Sequence, residues 1–158
     1  PIPTHIDSIE DWHVLLAAAK DYFALTDYET SRDYYGVLTR RLDEVRSQDS
    51  LATMEILCRY AHLNAMTYKM HVYYEFHPQA AAFYDEVIQT DIERKRFIIL
   101  EYIDYLNFMA EIFMARDQDD QELKIRKTLI DAVKRSGTED PSLYWDVTDR
   151  IKQLEERK

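Results

Sequence analysis

Only two of the 158 residues are glycine and four are proline. Tight turns, hairpins and phosphate-cradling loops use glycine because it alone enters positive φ cheaply. Two glycines cannot supply a many-stranded sheet with its turns, nor a Gly-x-Gly-x-x-Gly or Walker-type loop. A lone cysteine, Cys58, rules out an intrachain disulfide. It fits a reducing compartment, and the expected location is the cytoplasm. No run of 18 or more apolar residues occurs, so no membrane span is expected and the protein is predicted to be soluble. Pro1 to His5 lacks the basic and apolar regions of a signal peptide. Its missing methionine fits either initiator removal or trimming. Basic charge is also scarce: 20 Lys and Arg stand against 30 Asp and Glu, a net charge of −10. Such a surface repels phosphate, so direct nucleic-acid binding is not expected. A basic protein partner, or mimicry of a nucleic acid, suits it better.

What remains is rich in apolar residues, 46% of the chain, with helical spacing throughout. Residues 1–158 read as one all-α domain, an irregular antiparallel bundle of about six or seven helices. The first is predicted from Ser8 to about Thr26-Asp27, with Trp12, Leu15, Leu16, Ala19 and Phe23 inward. A second runs from Thr30 or Ser31 to about Arg46; Gly36 inside it suggests a close helix contact. A third extends from Leu51 to Phe76, and Pro78 opens a short fourth, since proline is tolerated in a first turn. Asp91 caps a fifth helix reaching Ala115. It is apolar on nearly every side from Phe97 to Met114, which places it at the centre of the bundle. A sixth spans Asp119 to Arg135 and ends at Ser136-Gly137. Asp140-Pro141 starts the last, with the narrow stripe Leu143, Val147, Ile151 and Leu154. That stripe offers a seam for a homo-oligomer.

No nucleophile elbow or Cys/His signature is present, so no catalytic residue is assigned and no cofactor is expected. Two features remain. The fifth helix carries a polar stripe, Glu101, Asp104, Asn107 and Glu111, on one side. Glu101, Asp104 and Glu111 are the candidate ligands of a hard cation or small molecule, as carboxylates are in ferritin-like bundles. The paired Glu-x-x-His motifs of di-iron bundles are not present. The bland alternative is a wet helix edge, or carboxylates paired with a neighbour's cations. Cys58, His62, Met66 and Met70 recur every four residues. Their chemistry suits a soft metal, but they also suit core packing.

Tyrosine is abundant, with 12 residues, including the adjacent pairs Tyr34-Tyr35 and Tyr73-Tyr74. Neighbouring residues cannot both face one core, so each pair is expected to expose a ring. Exposed tyrosines are favoured at protein interfaces. Two functions are therefore predicted. The leading one is a non-enzymatic protein-binding or regulatory domain, of toxin-neutralising, defence-inhibiting or signalling type. It would act through an acidic face with Tyr34, Tyr35, Tyr73 and Tyr74. The alternative is a metal- or small-ligand-binding bundle built on the central carboxylates.

From Tyr73 onward the chain resembles a family of uncharacterised bacterial helical domains. The likeness rests on Phe76-His77-Pro78, on Tyr105-Leu106-Asn107-Phe108 within the long apolar helix, and on Asp140-Pro141-Ser142-Leu143-Tyr144-Trp145. Members often follow an N-terminal membrane helix. The resemblance implies an all-helical fold and assigns no activity to any residue.

Overall fold

The computed structural model describes Ile6 and residues 9–137 and 141–157. Its described residues form eight helices and no strand: α1 (Trp12–Ala24), α2 (Tyr28–Arg40), α3 (Leu42–Gln48), α4 (Ser50–Met66), α5 (Met70–Thr90), α6 (Lys95–Ala115), α7 (Asp119–Ser136) and α8 (Pro141–Glu156). The all-α bundle is as expected, with one or two more helices. None is long and apolar enough to cross a membrane.

The extra helices come from breaks that no glycine or proline marks. Asp11, Asp27 and Asp49 accept backbone N–H bonds and start α1, α2 and α4, as carboxylates at helix N-termini do. The expected start at Ser8 lies outside the described residues. The predicted second helix breaks at Arg41 into α2 and α3. The predicted third helix ends ten residues early, at Met66. There Lys69 N–H bonds the Asn64 carbonyl at 2.7 Å and Tyr68 N–H bonds that of Ala65 at 3.3 Å. These are the two bonds of a Schellman stop, and Tyr68 takes the left-handed conformation at φ 62°. Thr26 and Asp117 end α1 and α6 in the same way. Pro78 therefore does not open a helix: it lies inside α5, on an exposed side. A carbonyl deprived of its partner there can bond water.

Two apolar clusters fill the interior. Trp12, Leu15, Leu38, Val45 and Ile56 belong to one, between α1, α2, α3 and α4. Leu57, Ala61, Tyr102, Leu106, Phe113 and Leu129 belong to the other, across α4 to α8. Helix α4 contributes to both and joins them. Helix α6 packs against α4, α5 and α7, so its central place is confirmed, shared with α4. Gly36 lies where α2 meets α4: a Cβ there would stand 3.3 Å from the Tyr60 ring, which would have to shift by a few tenths of an ångström. Helix α8 is held by an ion cluster. Arg150 Nε and Nη2 donate to the two Glu122 carboxylate oxygens at 2.7 and 2.8 Å, and Arg126 Nε donates at 2.6 Å. Burial alone would raise the Glu122 carboxyl; the bonds from Arg150 and Arg126 outweigh it and hold the group below its usual range.

Candidate functional site

Between α4 and α6 lies a cavity of about 180 Å³, lined by Cys58, Arg59, His62, Glu101, Asp104, Tyr105 and Phe108. Spacings of one, three and four residues bring each set to one side of its helix. Asp104 and Phe108 are exposed at the rim, while Cys58, His62 and Tyr105 are buried. His77, on α5, fixes the rear wall: its Nδ1 lies 2.7 Å from the Tyr105 hydroxyl. The Phe108 ring stacks on His62 at 5.0 Å, nearly parallel.

The cation of the site is set into its wall. The Arg59 guanidinium covers the Phe23 ring at 3.9 Å, a favourable cation–π contact, and comes within 3.3 Å of His62 Nδ1. No carboxylate among the described residues forms an ion pair with Arg59. Burial, opposed by Arg59, pushes the neighbouring Tyr35 up to about 12. Lys20, the nearby cation on α1, is joined to Glu55 at 3.0 Å.

The carboxylates are left over. Glu101 and Asp104 make no hydrogen bond or ion pair among the described residues. Burial raises the carboxyl of Glu101, and the charge of Glu55 adds to this against the opposing effect of Arg59. Burial likewise raises Asp104. His62 is 5% exposed. Burial, and then the Arg59 charge, lower its ring to about 3, so it is neutral at physiological pH. Its Nε2 has no partner among the described residues. Burial pushes the Cys58 thiol well above its ordinary value, which makes it a poor nucleophile.

The sequence-predicted residues are redistributed. Glu101 and Asp104 do line one site, but Glu111 is exposed and lies outside it. Ten residues of helix separate Glu111 from Glu101, about 15 Å along the axis. The three therefore do not form one metal site, and no cluster of metal-ligating side chains occurs among the described residues. Of the Cys58–Met70 series, Cys58 and His62 reach the cavity, whereas Met70 belongs to the next helix.

The tyrosine expectation needs correcting too. Tyr34, Tyr35 and Tyr73 are 6%, 2% and 2% exposed; only Tyr74, at 49%, meets solvent. Both members of the first pair are buried because α2 is covered on two sides. Tyr34 stacks on Tyr22 of α1 at 5.3 Å, and Tyr35 turns toward Arg59 of α4. These residues therefore form no exposed tyrosine-rich face.

Arg59 is the residue that sequence reasoning missed. Its signal was a cation within the apolar stretch Met54 to Ala65, one turn from both Glu55 and His62. No family model, no curated protein and no solved structure matches the chain.

Proposed function

We propose that this domain binds a small polar organic molecule in the α4–α6 cavity. One observation carries the reading. Glu101, Asp104 and the Nε2 of His62 are polar groups around one solvent-reached cavity, and none has a protein partner among the described residues. Polar groups that no protein atom satisfies are met by water or by a ligand, and a ligand that reproduces those bonds can take the water's place. A concave site with a few convergent polar groups on an apolar wall is the usual form of a small-ligand pocket. Here the wall is Tyr105, Phe108 and Cys58. Of the four tyrosines expected to carry protein binding, Tyr34, Tyr35 and Tyr73 are buried and Tyr74 alone meets solvent, which favours the ligand-binding reading over that one.

A screen of fragments by saturation-transfer NMR tests the reading. Several fragments should bind the wild-type chain, and they should be lost in Cys58→Leu, which fills the cavity, and in Asp104→Asn at its rim. An absence of hits, or hits indifferent to both substitutions, would exclude the cavity as a binding site.

A further inference from the structure

We propose that the occupant is a small organic cation, an ammonium or amidinium on a flat apolar body, held by Glu101 and Asp104 with its ring against Phe108. This inference rests on the cavity reading and names its ligand class.

Charge comes first. Lys20 and Arg59 face Glu55, Glu101 and Asp104 around the site, so one carboxylate is in excess. Lys20 is committed to Glu55 at 3.0 Å. Arg59 lies over Phe23 at 3.9 Å and turns an N–H toward His62, which leaves Glu101 and Asp104 to the occupant. Three residues apart on α6, they lie side by side and can share the hydrogens of one ammonium or amidinium. An anion would meet those carboxylates directly.

His62 adds a second, independent demand. Arg59 can only donate, so Nδ1 of the neutral ring accepts and Nε2 carries the hydrogen. That N–H has no protein partner on a side chain 5% exposed and lines the cavity, where a water, or an acceptor arm carried beside the cationic group, would meet it.

Size and shape fit the same class. A cavity of about 150 Å³ accommodates benzene, and this one measures about 180 Å³, enough for a ring and a short polar arm. Phe108 is exposed at the rim with one face stacked on His62, and a ring placed there suits a cation or a flat ring.

The test uses four probes of similar size on the full chain, followed by backbone amide NMR: benzamidine and benzylamine as cations, benzyl alcohol as neutral isostere, benzoate as anion. Benzamidine or benzylamine should bind with shifts confined to α4 and α6, and at least ten times more tightly than the alcohol. Glu101→Gln should weaken that binding about tenfold or more, and Asp104→Asn by a smaller factor. Benzoate or benzyl alcohol binding as tightly as the cations would overturn the ligand class while leaving the cavity reading in place. So would cation binding unchanged in Glu101→Gln. If no probe binds and the wider fragment screen is also empty, both fall together.

Discussion

The Arg59 guanidinium stands 3.3 Å from Nδ1 of His62, and this contact selects the tautomer of an imidazole that burial keeps neutral. Nδ1 must accept, so the neutral ring holds its hydrogen on Nε2. Side-chain ¹⁵N spectra should show the Nε2–H tautomer at pH 7, with no imidazolium signal until the pH approaches 3. An Nδ1–H tautomer would mean that the two groups are arranged differently.

The same histidine shapes acid stability. His62 titrates near 3 when folded and near 6.5 in an ordinary setting. Between these values the unfolded chain binds the proton and the folded chain does not. The contribution is therefore complete above about pH 6.5 and is lost as the pH falls toward 3. His77, lowered to about 4 by its burial, acts in the same direction. Urea midpoints should fall between pH 7 and pH 5, and His62→Gln should flatten that fall.

Glu101 behaves in the opposite sense. Its folded carboxyl is raised by burial and by Glu55, so the folded state takes up its proton more readily than the unfolded. Its contribution is fullest below the ordinary value of 4.5 and is lost as pH rises through the folded value. Glu101→Gln should then stabilise the protein at pH 7 by about 0.5–2 kcal/mol, the usual gain from relieving a strained functional group. The gain should vanish below pH 4. A destabilised variant at pH 7 would show that Glu101 has a partner in the fold.

The fold class was legible because scarcity of glycine and helical spacing point the same way, and α7 was bounded nearly to the residue by Gly137, which sits at φ 65°. The ends of α1 and α6 were read within a few residues of Ala24 and at Ala115, but the end of α4 was not legible, because Tyr68 takes the left-handed position where glycine is the usual signal. At the site, spacing placed Glu101 and Asp104 together. It could not show that α4 lies opposite them, because which helix faces which is decided by packing between distant segments. For the same reason Tyr34 and Tyr35 were read as half exposed: a helix covered on two sides carries no mark of the second cover.

Thr26 offers a direct check on those helix ends. It is exposed and sits at φ 60°, a conformation that costs an L-residue roughly 1–2 kcal/mol. Thr26→Gly should raise stability by about 1 kcal/mol in chemical denaturation. A loss would mean that the stop at α1 does not adopt this conformation.

The ion cluster on α8 makes a separate prediction. Glu122 is fully buried, and Glu122→Ala would strand Arg126 and release Arg150. Breaking a buried pair from one side costs about 3–5 kcal/mol, and unfolding curves should show a loss of that order. Because the Glu122 carboxyl is held low, its contribution is present above 4.5 and disappears as pH falls through its lower folded value. Arg150→Ala should cost less, since Arg126 keeps its bond.

The central claim is that the carboxylates of this cavity wait for a cation, and a ¹³C titration of the Glu101 side chain tests it most directly. The account predicts a Glu101 carboxyl titrating above the ordinary glutamate value in the free protein and moving down when benzamidine saturates the site. An ordinary value in the free protein, or a raised one that saturating benzamidine leaves in place, would contradict it.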